Sequence, residues 1–175
     1  MIRQIGPITM REAKPEDLEA ILALHRRAFG GEAEASLIRA LEEGGYSRLS
    51  WIAEEAGEVA GHIFFSEIDL QRDAELLPVL ALAPMAVHPA KQRRGIGQAL
   101  LGEGLEQCRR KGFPAVFVLG NPGFYGKLGF SPKLAEPFSS PYSGPHFMAI
   151  ELRPNFLKKK KGRVLYSRPF LALES

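Results

Sequence analysis

A single cysteine, Cys108, excludes any disulfide within the chain and fits a reducing compartment. No stretch approaches the roughly 18 consecutive apolar residues of a membrane-spanning helix. The first ten residues include Arg3 and hold no apolar run long enough for a secretory signal. These absences predict a cytoplasmic protein without a membrane partner. An excess of one charge is also lacking: 23 Lys and Arg against 20 Asp and Glu give a formal net charge of +3. That balance slightly favours anionic small molecules and does not call for nucleic acid. The one basic run, Lys158–Lys161, reads as a solvated loop, with a contact to phosphate, RNA or an acidic surface as the alternative. No aromatic stacking motif or helix-turn-helix accompanies it, so no nucleic-acid partner is expected. Internal repeats and low-complexity tracts are missing, and no metal site is expected.

What is present suits one ordinary globular domain spanning residues 1–175, with 45% hydrophobic and 25% charged residues. A strand is predicted at Ile8–Glu12. Lys14-Pro15-Glu16-Asp17 then reads as a helix start, with proline early and acids in the first turn. Leu18, Ile21, Leu22, Leu24 and Phe29 recur at helical spacing up to Gly30-Gly31. A second helix is predicted over Glu32–Glu43. The period then changes to that of strands over Arg48–Glu54 and Val59–Leu70, joined at Ala56-Gly57-Glu58. Leu76–His88 is an apolar strand whose Pro84 implies a bulge. Gly95–Lys111 is a strong helix, Ala115–Leu119 a short buried strand, and Pro122–Leu128 a short helix. His146–Leu152 and Arg163–Phe170 are expected as a final pair of strands. The order predicts an α/β or α+β domain with a mixed sheet. Three consecutive strands before the main crossover do not fit a doubly wound dinucleotide fold.

The most informative segment runs from Met85 to Gln98. A strand leaves through a short loop, and a helix begins at Gly95 and Gly97. Free amides at a helix start form an anion site, and glycines let a phosphate approach the backbone. Lys91, Arg93 and Arg94 add positive charge. A Walker A loop would need Gly-Lys-Ser/Thr, which is missing. A dinucleotide fingerprint would need a third glycine where Leu100 stands. The residues by themselves therefore point to a phosphate or pyrophosphate cradle, against the alternative of a glycine-rich helix start that binds nothing.

Gln92-Arg93-Arg94-Gly95-Ile96-Gly97 resembles the Q/R-x-x-G-x-G/A signature of the GNAT (GCN5-related) N-acetyltransferase superfamily. Met85-Ala86-Val87-His88-Pro89 is similar to that family's bulged strand and turn. Phe124-Tyr125-Gly126-Lys127-Leu128-Gly129-Phe130 resembles its Y-x-x-x-G-F segment. The YhbS-like subgroup is the nearest in pattern. The resemblance implies a central mixed sheet of about seven strands flanked by about four helices, with a splayed strand pair that holds acetyl-coenzyme A. By that likeness Met85, Ala86 and Val87 would offer main-chain groups to pantetheine. The pyrophosphate would rest on the amides of Arg93, Arg94, Gly95, Ile96, Gly97 and Gln98, with Gln92 opening the motif.

The resemblance implies transfer of an acetyl group to a primary amine. Val87 N–H would stabilise the oxyanion, and Tyr125 would give a proton to the leaving thiolate. Asn121 stands four residues before Tyr125, where many relatives have an asparagine seven before; it is either a cofactor contact or a turn residue. No carboxylate follows Glu75 on the bulged strand. Glu67, Asp69, His62 and His88 are therefore the candidate bases, with water or a neutral amine as alternatives. The acceptor, a small-molecule or protein amine, would be bounded by the first helices, the Gly44–Ser50 connection and the Phe138–Gly144 loop. The competing reading is an inactive acyl-coenzyme A-binding sensor or regulatory module. A homodimer is left open by the resemblance.

Overall fold

The computed structural model describes residues 7–158 and 160–173. The start of the first ten residues and Lys159 of the basic run lie outside them. The elements are β1 (Ile8–Glu12), α1 (Leu18–Phe29), α2 (Ala33–Glu43), β2 (Ser47–Glu55), β3 (Glu58–Arg72), β4 (Glu75–Val87) and α3 (Ile96–Arg110). They continue with β5 (Ala115–Leu119), α4 (Pro122–Tyr125), α5 (Pro132–Ala135), β6 (Phe138–Ser139), β7 (Phe147–Glu151), β8 (Gly162–Leu165) and α6 (Arg168–Ala172).

The eight strands form one mixed sheet with the main order β1-β2-β3-β4-β5-β7. The first four are antiparallel neighbours in sequence order, as short turns favour. Ala56 and Gly57 close the β2–β3 hairpin with φ of 52° and 78°, the left-handed pair that matches strand twist. β4 and β5 are parallel and need a crossover, which α3 supplies.

Two cores lie on opposite faces of the sheet. Ile21, Leu22, Ile38 and Leu41 of α1 and α2 bury their apolar sides against Ile52, Phe64, Ile68 and Phe117. On the other face, Ile96, Leu100, Leu101 and Leu105 of α3 pack on Ile63, Phe65, Leu80 and Val116. All three helices thus follow the spacing that their sequences predict. Cys108 is fully buried in the α3 core, and burial pushes its thiol up to about 12. It is a packing residue and no nucleophile at neutral pH.

The expected bulge is present on β4. Ile63 pairs with Met85 and Phe65 with Leu82, so Ala83 and Pro84 together oppose the single residue Phe64. The C-terminal expectation needs correction. Gly162–Leu165 is a strand, but Arg168–Ala172 is helical, started by Pro169 in its first turn. The last two strands are not a pair either: β7 lies on β5, whereas β8 lies on β3 and β6. β8 takes the edge of β3 that β2 leaves free beyond Ser66. Of the run, Lys158, Lys160 and Lys161 lie in the connection between β7 and β8. Lys160 lies over the Phe156 ring, Nζ 4.2 Å from its centroid, and the Leu157 amide donates to Glu151 at 2.8 Å.

Candidate active site

β4 and β5 are in register only at Leu80–Val116 and Ala81–Phe117. Beyond this point β4 continues to Val87 and β5 to Leu119, each paired only with its outer neighbour. The two strands part, and the edge of β4 from Leu82 to Val87 faces an opening. Its polarity follows from the β3–β4 ladder. His88 N–H donates to Ala60 O at 2.8 Å. Antiparallel pairs alternate between bonded and non-bonded, so Ala86 turns its N–H and C=O to His62, while Met85 and Val87 turn theirs to the opening. Of the three residues expected to offer main-chain groups, Met85 and Val87 can do so, and those of Ala86 are aimed into the sheet.

The loop after β4 is a 3-10 turn at Pro89–Lys91, capped by His88, whose Nδ1 accepts from Ala90 N–H at 3.1 Å. Gln92 folds back, its Nε2 donating to Val87 O at 3.2 Å. Arg93 and Gly95 are left-handed, with φ of 65° and 85°. These two turns carry the chain into α3 with its first amides pointing outward. Among the described residues, no acceptor meets the amides of Arg93, Arg94, Gly95, Ile96, Gly97 and Gln98; the first helical bond is Ala99 N–H to Gly95 O. A short α-helix start with six such amides beside an open strand edge suits an anion.

The basic side chains divide differently from expectation. Arg94 is paired with Glu55, and Lys91 Nζ stands 3.3 Å from the same carboxylate. The Arg94 guanidinium first, then Lys91, hold the Glu55 carboxyl below the usual carboxylate range. They tie the loop to β2. Arg93 is exposed and has no ion pair among the described residues.

Gly97 serves packing: a β-carbon there would stand 3.2 Å from Phe124 Cζ and 3.6 Å from Val87 Cγ2. Gln98 Nε2 donates to Phe124 O at 3.1 Å. These contacts bring α4 to the first turn of α3. Tyr125 ends α4, its ring edge-on to Phe124 and Phe130. Burial pushes its phenol above the ordinary tyrosine value, so it holds its proton at neutral pH. Asn121 caps α4, its Oδ1 accepting from Gly123 N–H at 2.8 Å, which is the turn role.

The candidate bases do not gather at the opening. Glu67 and Asp69 pair with Leu80 and Pro78, seven and nine residues before Val87, or roughly 20 Å or more along the strand. Glu67 also pairs with Arg48 at 3.2 Å. His62 is fully buried, with both ring nitrogens engaged by His25 and Ser50 at 2.8 Å. The Gly44–Ser50 connection lies beside the closed half of β4, since Ser47 pairs with Ser66 and Ser66 with Ala81. Of the expected Phe138–Gly144 loop, Phe138 and Ser139 form β6 on β8, with Phe138 buried in the core, and it is His146, beyond that loop, that reaches the exit of β5. Sequence reading also missed Glu55 and Gly120, because their partners are distant in the chain.

A parallel strand pair parted beside a helix start that offers free amides, with a half-buried tyrosine against the exit of β5, is the framework of an acyltransferase domain. Residues 9–132 match the acetyltransferase (GNAT) domain family, and the chain belongs to that family. It is 38% identical over 117 residues to the uncharacterized N-acetyltransferase YhbS of Escherichia coli K12, covering 66% of this chain and 69% of that protein. With YjhQ of the same organism it shares 35% over 132 residues, 74% of this chain and 73% of the relative. The crystal structure of Escherichia coli YhbS in complex with coenzyme A superposes with a TM-score of 0.88 at 30% identity, covering 98% and 96% of the two chains. A GNAT acetyltransferase from Brucella melitensis, crystallised with acetyl-coenzyme A, gives 0.78 at 29% identity, covering 95% and 99%.

Proposed function

We propose that the chain transfers an acetyl group from acetyl-coenzyme A to a primary amine of a small molecule or protein. The observation that carries this reading is the row of unpartnered amides from Arg93 to Gln98, set directly beyond the open edge of β4. A pyrophosphate fits that row, because nothing lies within 4 Å of where a β-carbon at Gly95 would be. Met85 and Val87 present backbone groups to a pantetheine arm lying along β4 as an added strand would. Val87 N–H is the donor for the oxyanion, and Tyr125 is the acid for the leaving thiolate. Gln92 contributes through the Val87 carbonyl that it holds, and Asn121 through the cap that starts α4. Coenzyme A supplies the activated acyl group as a thioester. The two similar structures crystallised with coenzyme A and acetyl-coenzyme A support the same reading.

An inactive acyl-coenzyme A-binding module is the second reading. A protonated Tyr125 phenol at the opening favours catalysis over it. Among the described residues no helix is long and apolar enough to cross a membrane; a cytoplasmic location belongs to the same proposal and is supported by the lone, buried thiol of Cys108. Calorimetric titration with acetyl-coenzyme A, against coenzyme A and NAD, tests the site. Micromolar binding of the thioester with none of NAD is expected, and no binding of either would overturn the reading.

A further inference from the structure

Ser50 of β2, His62 of β3 and His25 of α1 form one line of hydrogen bonds. Ser50 Oγ lies 2.8 Å from His62 Nε2, and His62 Nδ1 lies 2.8 Å from His25 Nε2. Both rings are fully buried, whereas Ser50 is half-buried. Neutral rings allow a direction in which Ser50 O–H donates to His62 Nε2 and His62 Nδ1–H donates to His25 Nε2. Among the described residues His25 Nδ1 has no partner, so the line ends there. A serine, a histidine on its hydroxyl and a third group on the far ring nitrogen are the arrangement of an activated nucleophile, defined by geometry and not by sequence order. Side chains alternate along β2. Ile52 lies in the α1–α2 core and Ala53 in the α3 core, so Ser50 points to the α1–α2 side. There it lines a cavity of about 380 Å³, with Leu18, Ile21 and Ile38 as apolar walls. Lys14 and Arg48 offset Glu12 and Glu42 in the same lining, so these side chains give the cavity no net charge. That volume suits a small molecule, and the lining suits a neutral one with an apolar part.

We propose that Ser50 is the nucleophile of a second catalytic site, which hydrolyses small neutral esters of apolar acids, with His62 as its base and His25 positioning that base. The site is separate from the cofactor opening, since β3 lies between β2 and β4. Ser50 Oγ bonds to the ester carbonyl carbon as its proton passes to His62 Nε2. The imidazolium forms beside the oxyanion, so the buried charge is paired. The alcohol oxygen leaves with that proton as its bond to carbon breaks. Water, deprotonated by His62 in turn, cleaves the acyl-serine; the acid departs and the proton returns to Ser50. One ester and one water become one alcohol and one acid. His25 Nε2 accepts from His62 Nδ1–H throughout and keeps Nε2 of that ring turned to Ser50.

An alkyl fluorophosphonate tests this on the whole protein. Its phosphorus takes a serine oxygen and expels fluoride, so the adduct marks the activated hydroxyl. A single adduct on Ser50 by peptide mass mapping, absent in Ser50→Ala, is expected. No adduct, or one on another residue, overturns the proposal and leaves the cofactor site standing. p-Nitrophenyl butyrate, a neutral ester of an apolar acid, should be hydrolysed about 100-fold faster by the wild type than by Ser50→Ala; equal rates also overturn it. The role of His25 is read from two variants, with circular dichroism to show that each is folded. His25→Gln keeps an acceptor for His62 Nδ1–H and should retain most of the labelling rate, whereas His25→Leu should lose most of it. Equal rates in the two overturn the positioning role.

Discussion

The Tyr125 ring lies against the bare α-carbon of Gly120: a β-carbon there would stand 2.5 Å from Tyr125 Cε2 and 3.0 Å from Cδ2. The position of the phenol therefore depends on a residue that has no side chain. Gly120→Ala should displace the ring, and overpacking of this kind costs about 1–3 kcal/mol. Turnover should fall while acetyl-coenzyme A affinity changes little, since the amides of α3 are untouched. Thermal unfolding and steady-state kinetics check this; an unaltered kcat would show that the ring has no part in the reaction.

Gly97 is confined by Phe124 and Val87. Gly97→Leu should drive Phe124 away from the first turn of α3 and weaken coenzyme A binding tenfold or more, about 1.4 kcal/mol. The fold should survive, because Phe124 is only partly buried. Calorimetry beside circular dichroism separates the two effects. Wild-type affinity in this variant would remove Gly97 from the cradle.

Tyr125→Phe keeps the packing against Phe124 and Phe130 and deletes the proton. Turnover should fall about 100-fold at neutral pH, with acetyl-coenzyme A affinity spared. Burial raises the phenol above its ordinary value of 10.0, and only the protonated form donates. Loss of wild-type activity through this group should therefore appear only above about pH 10. A pH series of kcat for both proteins decides the matter.

The buried histidine pair predicts acid lability. Burial holds His25 down to about 4 and His62 well below 6.5, with His25 as a second cause for His62. Both are neutral in the folded protein where the unfolded chain would already be protonated. The unfolded state binds more protons below about pH 6.5, so stability rises with pH there and is lost on acidification. For His25 the loss runs from about pH 6.5 to about 4 and is on the order of 3 kcal/mol. His25→Leu should flatten the slope of unfolding free energy over that window. An unchanged slope in urea titrations at several pH values would contradict the assignment. Asp17, held at about 2 by Arg11, loses its contribution in a lower window, below about pH 4.

Most elements could be read from sequence because their causes are local. Apolar spacing, early prolines, glycine stops and a two-residue turn act within a few positions, and α1, α2, the β2–β3 hairpin and α3 follow them. The glycine turn at Gln92–Gln98 and the tyrosine segment are likewise contiguous strings, so the family resemblance and the glycine start of α3 were legible. Where Arg168–Ala172 turned out helical, apolar content resembled a strand and the proline start was the overlooked signal.

Tertiary structure alone decided the rest, since those relations join residues far apart in the chain. Glu55 takes Arg94 from 39 positions away, so that cation is tied to β2 and does not stand free beside the start of α3. His146 meets Gly120 across 26 positions, and only that bond fixes its tautomer. Ladder alternation, set by the pairing of β3 with β4, decided that Met85 and Val87 face the opening while Ala86 does not. Local propensity specifies which elements form. Which donor meets which acceptor is settled when sheet and helices pack, because that outcome depends on the register of every strand between them.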